Sequence, residues 1–548
     1  MFDKDLHLAR ALLIEGNALL RSTTASQLRD IGVGEVAGAS HPSEARLRLE
    51  RERFDIVVCS RDFEGSEESG QDLLDELRRE RLLPHDTVFL MLTTQASYHQ
   101  VVEAAEASLD AFLVRPCSSA ALGQRLAEAR QRKRELAVVL RALDAGEAEL
   151  ALVHSVKRFA DKAPYWVYCG RLAAELMLAL KRPDDAARLF DKLVAARNTA
   201  WARLGLARAR LAAGDTGESM RLTQELLHDE HDCADARDLL GRVHVEQCDF
   251  DLALEQYRAA TLLTPGCLLR QQHTGALAFY QGHPDEALAH LEQALALGPK
   301  SNLFDVLSLM IVAMLRHDRG DVAGVAAARE QLRRWSARYP SSARLRRFEW
   351  SADALHLALT EGPAAAAPTL ATLSEQVPLA HFDLEAATVM LALAKRLVHA
   401  FASGAEYEKL ILFIGMRFAG SKAITETLLA ASGHEPRAEA ILQRCQVDIT
   451  AAAESAMEMA LHGDPEAAVR ALVQRGESTR NVRLLELARS LLHRHMDWLT
   501  EGPSLLEQTH ALLQRYGIAM NHIAGIQRSG RAPGAMNLRG VNNRQGSG

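Results

Sequence analysis

Four polar residues in the first 120 residues each follow a short apolar run, and their side chains offer most of the chemistry in this part of the chain. They are a carboxylate, two hydroxyls and a guanidinium: Glu15, Ser60, Thr93 and Arg115. A carboxylate can help to hold a hard divalent cation, which prefers oxygen ligands. A serine hydroxyl is a poor nucleophile without an adjacent base, and no histidine lies near Ser60 in the sequence. If Glu15 and Arg115 only pair with each other at the surface, the pair contributes well under ~1 kcal/mol.

The apolar runs that precede these residues predict a parallel sheet. They lie at residues 11–14, 54–59, 88–92 and 111–114. Segments with helical spacing lie between them, at 18–31, 73–83 and 98–107, and a further helix begins near Ser118. Short buried strands that alternate with helices indicate a doubly wound, flavodoxin-like α/β domain. In such a sheet, functional groups gather at the carboxyl ends of the strands, which is where the four polar residues stand.

The order of these elements and several local matches resemble the receiver domain of bacterial response regulators over about residues 8–120. The matching segments are Glu15-Gly16-Asn17, 54–60, Thr93-Thr94 and 112–116. In that family, an acidic pair after the first strand binds magnesium, and an aspartate after the third strand accepts phosphate. A serine or threonine after the fourth strand senses the phosphate, and a lysine before a proline after the fifth strand contacts it. The resemblance therefore implies a scaffold of the kind that receives a phosphoryl group.

This chain departs from the family's chemistry at three positions and keeps it at three. The departing residues are Gly16 in the acidic pair, Ser60 at the phosphoacceptor position and Arg115 at the lysine position. The residues that fit are Glu15 in the acidic pair, Thr93 at the sensing position and Phe112 at the aromatic switch position. The single carboxylate of Glu15 leaves the magnesium site under-charged, so we expect no metal cofactor. Asp62 is the alternative acceptor, but we expect its side chain to point elsewhere, and the resemblance therefore implies a degenerate receiver.

The middle of the chain repeats with a period of 34 residues. The positions that recur are Gly241 and Gly275, Ala253 and Ala287, Ala260 and Ala294, and Pro265 and Pro299. Gly214, Cys248 and Gly282 extend the same register over three units. This pattern resembles the tetratricopeptide repeat, in which small residues let two antiparallel helices approach closely and a proline ends the second helix. Stacked helix pairs predict an all-α superhelix whose concave face suits a peptide or a helix of another protein.

The chain divides into five predicted segments. A helical pattern over 121–143 has no breaker after Gly123, which predicts a stiff extension of the last receiver helix. Its basic triplet, Arg132-Lys133-Arg134, is typical of a solvated helix face. The Gly-, Asn- and Arg-rich end of the chain predicts disorder. The segments are a degenerate receiver-like domain (1–120), a helical linker (121–162), tetratricopeptide repeats (163–301), divergent repeat-like hairpins (302–513) and a flexible basic tail (514–548).

Composition and charge argue against several classes of protein. The 548 residues carry a net charge of −7 with a pI near 6.3, so no overall basic field is present to hold nucleic acid. The seven cysteines include no C-x-x-C pair, which indicates reduced thiols and no zinc site. No apolar run approaches the ~20 residues needed to cross a bilayer, so we expect a cytoplasmic protein without membrane insertion. Two histidine clusters, at 228–233 and 493–495, are interpreted as a polar turn and a helix surface without a metal.

These features together predict a two-component signalling adaptor without enzymatic activity. The surface over about residues 98–129 is the receiver family's usual docking and dimerisation face, so the resemblance implies a sensor kinase or another response regulator as partner, or a homodimer. The repeats are expected to hold a second protein. Two alternatives stay open. One is a phosphorylation switch in which Asp62 or Ser60 takes phosphate, and the other is a repeat-based phosphatase of another regulator. A DNA-binding output is disfavoured because no recognition-helix module follows the receiver.

Overall fold

The computed structural model describes residues 5–63, 70, 73, 74, 77, 82–94, 110–297 and 304–517. The predicted helix at 98–107, most of the predicted helix at 73–83 and the chain beyond residue 517 lie outside these residues. The described part consists of an N-terminal α/β domain followed by a long series of helices. This architecture confirms the fold class predicted from the sequence.

The N-terminal domain is built on a parallel sheet of five strands in the order β2-β1-β3-β4-β5. Alternate residues of the first strand enter two separate cores, so Leu12 and Ile14 lie in one while Ala11 and Leu13 lie in the other. Every residue of the third and fourth strands is buried. The strands are β1 (Arg10–Ile14), β2 (Glu35–Ala39), β3 (Ile56–Ser60), β4 (Val88–Thr93) and β5 (Ala111–Val114).

Three described helices cover this sheet: α1 (Ala18–Asp30), α2 (Pro42–Arg51) and α3 (Ser119–Glu135). The Ser118 hydroxyl accepts a hydrogen bond from the backbone N–H of Ala121 and so caps α3 where the sequence predicts a helix to begin. Leu28 of α1 and Leu122 of α3 belong to one core, whereas Ala45 of α2 belongs to the other. Helices therefore pack on both faces of the sheet, as in a doubly wound domain.

The rest of the described chain is helical and runs in antiparallel neighbours from residue 137 to residue 516. None of the helices that the structure describes is both long and apolar enough to cross a membrane. The helices are α4 (Ala137–Asp144), α5 (Ala148–Ala160), α6 (Trp166–Ala179), α7 (Pro183–Ala196), α8 (Ala200–Ala212), α9 (Thr216–Asp229), α10 (Ala234–Gln247), α11 (Phe250–Leu263), α12 (Leu268–Tyr280), α13 (Pro284–Leu297), α14 (Leu307–Asp318), α15 (Val322–Arg338), α16 (Ala343–Thr360), α17 (Pro363–Gln376), α18 (Leu384–Arg396), α19 (Gly404–Phe418), α20 (Lys422–Ser432), α21 (Pro436–Leu461), α22 (Pro465–Thr479), α23 (Val482–His495) and α24 (Gly502–Tyr516).

The 34-residue register has a direct counterpart in the packing of α10–α13. Gly241 and Gly275 occupy the same position on α10 and α12, where each faces the second helix of its pair. A Cβ atom at Gly275 would lie 2.6 Å from Leu291 Cγ, so a larger residue would not fit without a shift. Ala253 and Ala287, on the partner helices, are completely buried. The small residues that define the repeat are therefore the ones that allow each helix pair to close.

The helical linker differs from its prediction at Leu136. The continuous helix expected over 121–143 is interrupted there, between α3 and α4, and Leu136 joins a core that also contains Leu172 of α6. The basic triplet is not a solvated face either, because Arg132 Nη2 and Lys133 Nζ lie 2.9 and 3.0 Å from the carboxylate of Asp110. These ion pairs hold the C-terminal half of α3 against the edge of the sheet.

Helices near the C-terminus pack against the repeats. Each residue of α18 from Leu384 to Ala394 is buried, and this helix shares a core with α12. The Tyr280 hydroxyl lies 3.1 Å from the Thr388 hydroxyl, and α20 packs against both α10 and α12. Both α10 and α12 are the first helices of their pairs, so α18 and α20 cover part of the surface that these first helices form. The sequence gives no sign of this contact, which joins residues 108 positions apart.

Candidate functional site

The register of the sheet brings the four polar residues to one edge. Ser60 ends β3, where it pairs with Leu92 of β4, and Thr93 ends β4, where it pairs with Val114 of β5. Glu15 follows β1 directly, and Arg115 follows β5 directly. All four residues thus lie at the carboxyl ends of parallel strands, as the sequence predicts.

Glu15 and Arg115 form a buried ion pair. Arg115 Nη1 lies 2.5 Å from Glu15 Oε2, and the two side chains are only 10% and 4% exposed. The expectation of a surface pair worth well under 1 kcal/mol is therefore wrong in its premise, because both charges are withdrawn from water. Removing one partner of such a pair leaves the other charge buried without a partner, which typically lowers the free energy of unfolding by about 3–5 kcal/mol.

The N-terminus of α1 holds the Glu15 side of this pair in place. The Asn17 side chain accepts hydrogen bonds from the backbone N–H groups of Leu19 and Leu20, which caps the helix. The backbone N–H of Asn17 donates to Glu15 Oε1 at 2.9 Å, so both carboxylate oxygens are engaged. Arg21 Nη1 donates to the Glu15 carbonyl at 2.6 Å. The cap residue could have been recognised from its position before a helix, but the reach of Arg21 has no sequence signal.

Arg115 connects the pair to the rest of the sheet. Its backbone N–H donates to the Thr93 carbonyl at 2.7 Å, and its Nη2 donates to the Thr24 hydroxyl on α1 at 3.4 Å. The sequence does not point to Thr24, because nothing in the spacing of α1 indicates which of its residues contacts Arg115. Through its backbone N–H and its guanidinium, Arg115 therefore links the ends of β1, β4 and β5 to α1.

The remaining predicted residues add no charge to the pocket. Ser60 and Thr93 are buried, whereas Asp62 is exposed and Gly16 carries no side chain. A Cβ atom at Gly16 would lie 3.6 Å from the Ser40 carbonyl oxygen, so a larger residue has room there. The magnesium ion implied by the receiver resemblance does not fit these residues, because the Glu15 carboxylate is already bound to a cation. Among the described residues, no group of three or more His, Cys, Asp or Glu side chains could hold a metal ion.

Phe112 lies at the boundary between the sheet and the helices that follow. Its ring is partly buried against the core that contains Phe89, and it lines a cleft of about 470 Å³. The cleft is also bordered by Tyr165, which precedes α6, and by Arg132 of α3. The Arg132 guanidinium lies 5.5 Å from the ring centre of Tyr168 on α6. The predicted switch position therefore faces the junction of the two regions of the chain.

Comparisons with known proteins address both regions. The family model of the response regulator receiver domain matches residues 11–127, and a tetratricopeptide repeat model matches residues 177–243. Chemotaxis protein CheY-3 of Vibrio cholerae is 31% identical over 117 residues, which make up 21% of this chain and 88% of that protein. Chemotaxis protein CheY of Pseudomonas aeruginosa is 29% identical over 117 residues, or 21% of this chain and 92% of that protein. A solved structure of V. cholerae CheY4 is 24% identical, with a TM-score of 0.20, and the match covers 23% of this chain and 97% of that one.

The two matches fall on the two regions that the fold separates. Residues 11–127 contain the five-stranded sheet except for its first residue, Arg10, and residues 177–243 lie within the helical region. A receiver domain joined to such repeats supports a signalling protein with a capacity for protein–protein interaction, and both domain types are generally non-enzymatic. The chain therefore belongs to the response regulator receiver family through its N-terminal domain, which is followed by tetratricopeptide repeats.

Proposed function

We propose that the protein is a non-enzymatic adaptor in two-component signalling, whose receiver domain docks a kinase or regulator without being phosphorylated. The observation that carries the proposal is the state of the receiver pocket. Its phosphoacceptor position is the neutral hydroxyl of Ser60, and the carboxylate of Glu15 is bound to Arg115. Phosphoryl transfer of the receiver type needs a carboxylate nucleophile and a divalent cation, and the predicted pocket residues, all of which the structure describes, supply no unpaired carboxylate for either role.

The receiver face near β5 and α3 is the surface that we assign to the kinase or regulator. It belongs to the 98–129 range, of which the structure describes residues 110–129. Arg125 and Glu128 on α3 are more than half exposed and line the cleft beside Phe112. Arginine and tyrosine are enriched at the energetic centres of protein interfaces, and Arg132 and Tyr165 border the same cleft.

The solenoid supplies the second protein-binding surface, for a peptide or a helix. Because α18 and α20 cover α10 and α12, we assign this role to the first helices of the earlier pairs, α6 and α8. The Arg171 guanidinium lies 4.9 Å from the ring centre of Trp201 on these helices. Tryptophan and arginine are the residues that most often anchor a partner at an interface.

Intact-mass spectrometry after incubation with acetyl phosphate and magnesium tests the receiver part of the proposal. The unmodified full chain is expected to gain no phosphoryl group. A matched control is the triple variant Gly16→Asp, Ser60→Asp, Arg115→Lys, which restores the acidic pair, the acceptor and the lysine that the family pattern requires. The space beside Gly16 accommodates the added carboxylate, so this variant is expected to gain one phosphoryl group.

The same assay separates the alternatives. A phosphorylated species of the unmodified chain, mapped to Asp62 or Ser60, would replace the adaptor with a phosphorylation switch. Faster loss of phosphate from a phosphorylated partner regulator, measured with this chain added, would indicate the phosphatase instead. Neither result is expected if the chain acts only by binding.

Co-purification tests the docking surface. We expect the full chain to capture a sensor kinase or a response regulator, and the charge reversal Arg125→Glu to abolish that capture. Arg48→Glu on α2 is the control, because Arg48 also pairs with a glutamate of its own helix, is partly exposed and lies outside the assigned face. Capture of neither protein class by the full chain, or equal loss with both variants, would contradict the assignment.

A further inference from the structure

We propose that the Arg115 guanidinium is the resident cation of this receiver, which takes the place of a divalent metal at Glu15 and fixes the domain in one arrangement. The inference deepens the proposed function and rests on it, since both concern a receiver that works without phosphate. It goes further by naming the group that replaces the metal and by predicting what happens when that group is removed.

Both carboxylate oxygens of Glu15 already accept a hydrogen bond, and one of the two donors is a guanidinium. Oε2 accepts from Arg115 Nη1 at 2.5 Å, and Oε1 accepts from the backbone N–H of Asn17 at 2.9 Å. The carboxylate is buried, so a metal would have to displace the guanidinium and strand it in the domain interior. An arginine side chain does not lose its proton in proteins, so the competing positive charge is permanent.

The local charge balance points the same way. Two guanidinium groups bond to residues 15 and 16: Arg115 binds the Glu15 carboxylate, and Arg21 binds the carbonyl oxygens of Glu15 and Gly16. Gly16 contributes no second carboxylate. One negative and two positive side chains thus meet at the end of β1, an arrangement that repels a divalent cation and needs none for neutrality.

The pair also connects several elements of the domain to one another. Glu15 connects β1 to the start of α1. Arg115 contacts the end of β4 through its backbone N–H and the middle of α1 through the Thr24 hydroxyl. These contacts exist in the unmodified chain without phosphate. The position of β5 determines the position of Phe112. The surface near Phe112 is therefore expected to be available to a partner at all times.

Hydrogen–deuterium exchange of the full chain, followed by mass spectrometry, tests the role of Arg115. In Arg115→Met, the Glu15 carboxylate is left buried without its partner. The amides of residues 10–24 are then expected to exchange about 100-fold faster or more. In the double variant Glu15→Gln, Arg115→Met no charge is stranded, so most of the protection is expected to return. Arg48→Met, which removes an exposed partner of Glu44 on α2, is the matched control and should leave residues 10–24 unchanged.

Magnesium supplies the second readout. Millimolar magnesium chloride is expected to leave exchange in the unmodified chain unaltered, and to slow exchange of residues 10–24 in Arg115→Met, where the carboxylate is free. The double variant should not respond. Protection of the unmodified chain by magnesium, or an Arg115→Met variant that exchanges like the unmodified chain, would overturn the inference. Both results are independent of the phosphoryl-transfer assay, so failure of one proposal can be told from failure of the other.

Discussion

Replacing Cys248 by glycine should stabilise the solenoid. Cys248 follows α10 with a φ of 69°, a left-handed conformation that residues with a side chain adopt at a cost. Gly214 and Gly282 stand 34 residues away on either side, at the same position of the repeat, with φ values of 88° and 75°. The structure thus places a cysteine in a turn conformation that is filled by glycine in the two neighbouring units.

The expected gain follows from two opposing terms. Relief of the left-handed strain contributes ~1–2 kcal/mol, and the greater flexibility of glycine in the unfolded chain removes ~0.4–1 kcal/mol. The two ranges together give a net increase in the free energy of unfolding of between about 0 and about 1.6 kcal/mol, with a central value of about 0.8 kcal/mol. The backbone N–H of Cys248 donates to the carbonyl of Val245, a bond that glycine retains.

Urea unfolding followed by far-ultraviolet circular dichroism measures this change through the transition midpoint. Gly214→Ala and Gly282→Ala are the matched controls, because an added Cβ atom at either position would meet no atom within 4 Å. Their cost is purely conformational, and both should unfold at lower urea concentration than the unmodified chain. A lower midpoint for Cys248→Gly, or unchanged midpoints for the two alanine variants, would refute the reasoning.

Three further predictions concern the interior of the helical region. Arg208→Met should lower the free energy of unfolding by about 3–5 kcal/mol, because it leaves the buried Glu175 carboxylate without its partner. In the unmodified chain this carboxylate accepts two hydrogen bonds of 2.9 Å from the Arg208 guanidinium. The double variant Glu175→Gln, Arg208→Met should recover most of the loss, as measured by urea unfolding. Gly275→Ala should cost about 1–3 kcal/mol in the same assay and more than Gly241→Ala, because its Cβ would lie 2.6 Å from a side-chain carbon as against 3.2 Å. Burial lowers the pKa of His273 from 6.5 to about 4, so the stability from its neutral form is present above pH 6.5 and is lost as the pH falls toward 4. Thermal midpoints across that range should fall less in His273→Gln, and equal slopes would contradict the assignment.

Much of the fold follows from periodicity in the sequence. The buried runs at 56–60 and 88–93 consist almost wholly of apolar residues, so their strand character is visible without a structure. Strand β2 was not predicted, because Glu35–Ala39 contains no apolar run and lies at the edge of the sheet, where burial is partial. The repeat register was visible because small residues recur where the two helices of a pair approach most closely, as at Gly241 and Gly275.

The burial of polar groups and their ion-pair partners could not be predicted from periodicity in the sequence. Spacing places Glu15 and Arg115 at one edge of the sheet, but whether their pair is buried depends on how α1 packs over it. The basic triplet on α3 repeats this error, since Arg132 and Lys133 were expected to face solvent but are held by Asp110, which precedes β5. Such long-range pairings leave no periodic trace in the chain.

The buried position of α18 changes how the helical region is expected to fold during synthesis. An open solenoid can be completed pair by pair as it leaves the ribosome, since each unit touches only its neighbours. Here Tyr280 and Thr388 are 108 residues apart, and α20 packs on helices that are made much earlier. The apolar sides of α10 and α12 therefore stay uncovered until residues 384–432 have emerged. Nascent chains that end before residue 384 are thus the species most exposed to aggregation and most dependent on chaperones.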